Sequence, residues 1–260
     1  KMIYYESSSF FFDSMNYQTS KYLMLIRPRN FSSNEETLES NEFQNDFTES
    51  TNLSQIREHV DIEFTNMVDR LSEHKIDHIV FDDIEDLGSP DAIFPNNWVT
   101  FHDDGAVVLY PMMSSKRRNE RRMDIIEKLS FMGFALTKTI DLTHLENNGH
   151  YLEGTGSMIL DRLNKKAYAC ISSRTTREAL AVFSDTMSYE IIEFCSTTNI
   201  PIYHTNVMMS LGEDTAIVCF DVIEEKDVSI QLKSDLKDSG RNVIDISIDQ
   251  MKSFLGNALE

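Results

Sequence analysis

The chain predicts an α/β fold, and two observations carry that reading. Short apolar runs of strand type alternate with segments of helical period along the whole sequence, and no Pro-, Gly- or Ser-rich linker interrupts them. At 260 residues the chain is long enough to bury a sizeable core. One domain over residues 22–260 is therefore expected, with residues 1–21 as an N-terminal extension without clear periodicity, expected to be mobile.

The elements follow in order. Leu23 to Arg27 has the composition of a buried strand and is stopped by Pro28. Residues 31–50 carry Glu35, Glu36, Glu39, Glu42, Asp46 and Glu49 without a single Lys or Arg, the pattern of a solvated acidic loop. From Leu53 to His74 a helix is predicted, because Ile56, Val60, Phe64, Val68 and Leu71 recur at helical spacing. Ile79 to Phe81 and Ala106 to Tyr110 follow as strands. A second helix is expected over Arg117 to Leu129 with Met123, Ile126 and Leu129 inward. Met158 to Leu160 and Tyr168 to Ile171 form two strands around an Asn-Lys-Lys turn, and Thr175 to Cys195 is a third helix. Ile202 to His204 and Ala216 to Val222 are strands, and Ile230 to Asp238 a helix. Val243 to Ile246 is a strand, and a last helix starts at Asp249. The recurring unit is strand, strand, helix, strand.

Charge and cysteine content narrow the function. Forty-three Asp and Glu against 24 Lys and Arg leave a formal charge of -19, which excludes nucleic acid and polybasic membrane attachment as partners. An anionic ligand would need a local basic patch. Cys170, Cys195 and Cys219 lie in apolar settings without paired spacing, so all three are expected as small core residues, with neither disulfides nor a metal site. A reducing cytoplasm fits. No apolar stretch reaches membrane-spanning length, and Phe10-Phe11-Phe12 is only a short apolar cluster.

Four polar islands stand out. The first is Asp91-Ala92-Ile93-Phe94-Pro95-Asn96-Asn97-Trp98, where Pro95 disfavours a regular helix and two amides precede the only tryptophan. Alone, it would pass for a polar turn. The second, Ser114 to Arg122, concentrates five of the 24 basic residues; such a cluster is ordinarily a solvated helix face, although one guanidinium there would also suit a carboxylate. In the third, Gly154 and Gly156 allow a tight turn beside Glu153 that would aim its carboxylate into a cavity, and Arg174 follows at a strand-to-helix junction. The fourth is Tyr203-His204-Thr205-Asn206-Val207-Met208-Met209, whose histidine is either a satisfied core residue or a general acid/base at a strand end.

In this order, with Leu25-Ile26-Arg27-Pro28 and Leu109-Tyr110-Pro111-Met112 between them, the islands resemble the guanidino-group-modifying, or pentein, superfamily. The likeness is closest to arginine-deiminase-related proteins, also called citrulline-utilization hydrolases or amidinotransferase-like proteins. It implies a pentein α/β-propeller with pseudo-fivefold repeats, acting without metal or organic cofactor on a small guanidino or ureido amino acid. It also implies His204 as general acid/base and Glu153 as the carboxylate orienting histidine and substrate. Phe94, Asn96, Asn97 and Asn206 would bind substrate, and Arg174, with Arg117 or Arg118 as a second candidate, would take its carboxylate.

Two departures qualify the resemblance. Many relatives hold an acidic pair where Asn96 and Asn97 stand; an amide both donates and accepts, so this loop suits a neutral ureido group at least as well as a cation. The family's nucleophilic cysteine lies in the last repeat, and no cysteine here matches it. The chain is therefore expected to be cut short in its last unit, inactive in covalent catalysis as it stands, and prone to self-association through exposed strand edges. An amidinotransferase, or a non-catalytic ligand-binding relative, is the alternative to a hydrolase.

Overall fold

The computed structural model describes residues 17–37, 53–84, 87–197 and 202–260. The Phe10 cluster and the acidic segment from residue 38 lie outside these. The fold is mixed α/β. It contains three sheets of one design. In the first, β3 (Val99–Phe101) runs antiparallel to β4 (Ala106–Leu109), which pairs in parallel with β5 (Lys138–Asp141) after α2 (Met123–Phe131). The second repeats this with β6 (Met158–Asp161), β7 (Lys166–Cys170), α4 (Arg177–Met187) and β8 (Glu190–Phe194). The third uses β9 (Met209–Leu211), β10 (Thr215–Val218), α5 (Lys226–Asp238) and β11 (Asn242–Asp245). At the start, β1 (Leu23–Arg27), α1 (Leu53–Glu73) and β2 (His78–Asp82) give a two-stranded parallel sheet. The strand-strand-helix-strand unit thus appears three times among the described residues.

Apolar clusters join these units rather than fill each separately. Met209, Ala216, Val218, Leu232 and Leu236 of the third unit pack with Tyr168, Cys170 and Phe194 of the second. Ala179, Leu180 and Phe183 of α4 pack with Leu160, Ala167 and, from the first unit, Val108 and Tyr110. Removing side chains of this size from water stabilises the fold by roughly 1.5–3 kcal/mol each.

Several expectations need correction. The third helix ends at Met187, where Ser188 adopts a left-handed conformation (φ 57°), and the Ile191-Ile192 run becomes β8 instead of continuing it. The second helix is split. Lys116–Glu120 forms a 3-10 turn, Arg122 is non-helical because its guanidinium reaches back to the Asp82 carbonyl and forward to Asp124, and α2 begins only at Met123. Met123 consequently faces outward (46 % exposed) and Ile125 takes the inward place. Ile202 to His204 forms no strand, and Ala216 to Val222 divides into β10 and a 3-10 turn at Phe220–Val222. β3, β5, β8 and β9 were not predicted; three of them have only three or four residues, too short for a period to register. Cys195 is only half-buried, unlike Cys170 and Cys219.

Candidate active site

Each three-stranded sheet is entered through a short helical turn, and the three turns meet. Pro95–Asn97 leads into β3, α3 (Gly154–Ser157) into β6, and Thr205–Val207 into β9. In the first, the Asn97 and Trp98 N–H groups donate to the Phe94 and Pro95 carbonyls at 3.1 Å each, and the buried indole of Trp98 anchors the turn. Proline at the first position removes a donor that would have had no partner there. In the third, Thr205 Oγ1 donates to the Ser157 carbonyl (2.5 Å) and accepts from the Cys170 N–H (2.8 Å), which ties that turn to α3 and β7.

The two glycines of α3 make the convergence sterically feasible. Gly154 has φ +49°, and a β-carbon on it would overlap the Asn96 carbonyl oxygen. At Gly156 a β-carbon would overlap the Asn97 amide nitrogen and lie 2.8 Å from His204 Nδ1. Glycine therefore brings the Asn97 amide and the His204 ring to the same patch of backbone, a stronger role than the tight turn expected from sequence.

Glu153 sits behind this patch, fully buried, and does not itself line the cavity. Its Oε2 lies 2.7 Å from His204 Nε2, 3.4 Å from Arg117 Nη1 and 3.7 Å from Arg174 Nη1, while Oε1 accepts the Met113 N–H at 3.1 Å. The Glu153 N–H donates to Ser157 Oγ (2.8 Å), which in turn donates to the Arg174 carbonyl (2.8 Å). Burial would raise the Glu153 pKa, but the hydrogen bond and charge of His204, then Arg117 and Arg174, overcome it and hold it at about 2. Burial lowers His204 to about 4 against the pull of Glu153. At neutral pH the pair is thus a carboxylate accepting from Nε2–H of a neutral imidazole, whose Nδ1 edge lies over Gly156.

The two arginines are held differently. Arg117 is bidentate to Glu120 (Nε–Oε1 3.0 Å, Nη2–Oε2 2.9 Å) and 3.5 Å from Asp91. Both Arg117 and Glu120 are buried, so the basic stretch is not the solvated helix face its composition suggested. Arg118 and Arg121 are committed to Glu146. Arg174 lays its guanidinium over the Tyr203 ring, 4.5 Å from the centroid, and Ser172 Oγ bridges their backbones by accepting from the Arg174 N–H (3.1 Å) and donating to the Tyr203 carbonyl (2.8 Å). Nor is the first part of the acidic segment simply solvated. Asn34 is buried against Ser114 and Asp91, and Glu36 accepts from the Ser114 and Ser115 hydroxyls, which hold its pKa at about 2.

One cavity gathers Phe94, Asn96, Asn97, Arg174, His204 and Asn206, together with Asp91, Arg117, Tyr203 and Asn257. Arg118 is not among its walls. Tyr203 stands in the sequence only as the first residue of the fourth island, and Asn257 carries no functional signal there, although Gly256 before it marks a close approach: a β-carbon there would lie 2.7 Å from the Val207 carbonyl oxygen. Glu120 had been counted only as part of a charged stretch. None of the three cysteines lines the cavity, and burial pushes Cys170 up to about 12 and Cys219 to about 11. No group of three or more metal-ligating side chains occurs among the described residues, and no helix there is long and apolar enough to cross a membrane.

The sequence profile of the family described as N,N dimethylarginine dimethylhydrolase, eukaryotic, matches residues 27–260. The chain belongs to that family. Its fold is shared with the N-terminal domain of ArgZ, an arginine dihydrolase from Cyanobacteria solved with substrate, at a TM-score of 0.69 and 14% identity over 92% of this chain and 80% of that one. Unliganded AgrE is similar at a TM-score of 0.68 and 16% identity, covering 91% of this chain and 31% of AgrE. Dimethylarginine dimethylaminohydrolase as an adduct with S-methyl-L-thiocitrulline matches at 0.59 and 14% identity, over 92% and 80% of the two chains. The chain spans about a third (33%) of full-length ArgZ. No sequence among curated proteins matches significantly. Family and neighbours are guanidino-modifying enzymes of the pentein superfamily, the group that the islands resemble.

Proposed function

We propose that this chain builds the substrate-binding and proton-transfer part of a hydrolase cleaving a guanidino or ureido C–N bond of an arginine- or citrulline-like amino acid. The observation that carries the reading is the buried Glu153–His204 pair set beneath the Asn97 amide by Gly156, with two guanidiniums opening on the same cavity. In this reading a cysteine thiol passes its proton to Nδ1 of His204 and attacks the planar carbon as the thiolate, and the imidazolium so formed gives that proton to the leaving amine as the C–N bond breaks. Water, deprotonated by the imidazole once it is neutral again, adds to the same carbon and the C–S bond breaks, which releases the product and returns the proton to the departing thiolate. Glu153 keeps the imidazole oriented. Asn97 and Asn96 grip the terminal nitrogen or oxygen, Phe94 and Asn206 flank the substrate, and Arg174 takes its carboxylate. Ionised Glu153 and neutral His204 suit a site that receives a protonated guanidinium as well as a neutral ureide. The reading requires a cysteine nucleophile that none of Cys170, Cys195 and Cys219 supplies, since none of them lines the cavity, and it takes residues 22–260 as part of a pentein α/β-propeller. The chemistry calls on no metal or organic cofactor, and a cytoplasmic setting suits it.

Release of ammonia from citrulline or arginine, or of methylamine or dimethylamine from methylated arginines, by the full-length protein tests the proposal. Turnover of one of these substrates is expected, with His204→Ala abolishing it in a folded protein; no turnover of any would sink the reading. A second reading, a non-catalytic binding protein, is favoured by the absence of any cysteine from the cavity walls. Binding of the same amino acids without turnover by the full-length protein would select it.

A further inference from the structure

Glu120 is a buried carboxylate that the proposed chemistry leaves without a part. Its side chain is 1% exposed, and both its oxygens are used on a single partner, Arg117, through Nε and Nη2. That leaves the Nη1 of Arg117 directed at Glu153 Oε2, the same oxygen that His204 Nε2 meets at 2.7 Å. Three groups therefore compete for one oxygen: the His204 ring, Arg117 and, at 3.7 Å, Arg174. Which of them dominates depends on how much of each positive charge is already compensated. Arg117 is compensated by Glu120 at hydrogen-bond distance and by Asp91 at 3.5 Å. Its 3.4 Å approach to Glu153 is long for a charge-assisted bond, whereas the His204 contact is short.

We infer that Glu120 is a positioning residue of this site: its bidentate bridge both fixes Arg117 and offsets its charge, so that Glu153 remains the partner of His204 instead of closing onto Arg117. The inference rests on the functional reading only for its consequence in catalysis; the geometry it describes exists in the 260-residue chain. Removing the charge of Glu120 should let Arg117 draw Glu153 away and weaken the Nε2–H bond of His204. The groups facing that ring are Glu153, Arg174, Arg117 and the Tyr203 phenol ring.

Nitrogen-15 histidine NMR of the chain at pH 8 reads this without any turnover. In the unsubstituted protein His204, assigned by its loss in His204→Asn, should show the Nε2–H tautomer with a downfield, slowly exchanging ring proton. In Glu120→Gln that proton should move upfield and exchange faster, and in Glu120→Asp, which keeps the charge, it should be retained at least in part. An unchanged His204 signal in folded Glu120→Gln overturns the inference. Should Glu120→Gln fail to fold, Arg117→Met is compared with the double substitution Arg117→Met/Glu120→Met. Equal His204 signals in the two support action through Arg117, and different signals overturn it. Loss of turnover with these NMR results intact would instead count against the hydrolase reading alone.

Discussion

Two histidines are buried in this protein, and only one belongs to a site. His102, at the end of β3, is 8% exposed; its Nε2 lies 2.8 Å from Thr100 Oγ1, which also meets the Tyr110 hydroxyl at 2.7 Å. His204 is 5% exposed and meets Glu153. Burial lowers both, His102 to about 3 with help from Arg162 and Lys165, and His204 to about 4. Burial and a depressed pKa therefore do not separate a core histidine from a chemical one. What separates them is the partner, a hydroxyl in one case and an ionised carboxylate in the other, and the cavity onto which only His204 opens.

The comparison breaks most visibly at those partners. Glu153→Ala would leave Arg117, Arg174 and His204 around an empty place, and removing one member of a buried charged cluster costs about 3–5 kcal/mol. Thr100→Val at the other histidine removes a neutral hydroxyl network and should cost about 1–2 kcal/mol. Urea unfolding of the two variants measures both. Equal losses would mean that the Glu153 cluster is an ordinary hydrogen-bond network.

Each histidine also has its glycine, and these sharpen the contrast at a smaller scale. Gly105 closes the β3–β4 hairpin at φ +78°, and a β-carbon there would overlap the Ala135 carbonyl oxygen. Gly156 shows no such left-handed backbone, but its β-carbon would run into Asn97 and His204. Gly105→Ala should therefore lower stability and leave the cavity alone. Gly156→Ala should cost about 1–3 kcal/mol by overpacking and, by parting Asn97 from His204, weaken citrulline or arginine binding about tenfold or more in calorimetry.

How much of this was legible follows the same division. Long periodic segments such as α1 and α5, and apolar runs such as β1 and β4, announced themselves, because side-chain period survives in sequence. Strands of three residues such as β3 and β9 do not hold enough alternation to show a period, and Thr175 to Cys195 hid a helix and a strand behind one apolar pattern. Apart from Asn257, the residues found around one cavity were legible as four islands because each combined polar groups with a turn-forming residue. Their meeting was legible only through the family resemblance and not from spacing, since it depends on Gly156 admitting two side chains from distant turns. Burial of Arg117 was misread for a physical reason as well: a charge cluster looks solvated until its counter-charge, Glu120 three residues on, is seen to turn inward with it.

A last effect, read as a slope against pH, tests what the two histidines share. Between pH 6.5 and 4.5 the unfolded chain takes up a proton at each of them, while the folded chain, with values near 3 and 4, does not. Stability contributed by both is therefore present at neutral pH and falls as pH drops through that window, at about 1.4 kcal/mol per pH unit for each histidine. Glu120 works in the opposite direction, because burial raises it to about 7 and the folded state binds its proton first. The slope contributed by these three groups together should be close to that of a single proton. His102→Asn and His204→Asn should each flatten the urea-derived profile by one proton's worth, and Glu120→Gln should steepen it by the same amount. A slope changed by only one histidine would mean that the two do not share the burial effect. Equal changes, with ligand binding lost only in His204→Asn, would show that the thermodynamic cost of burying an imidazole is common to both regions and that its chemistry comes from Glu153 and the cavity.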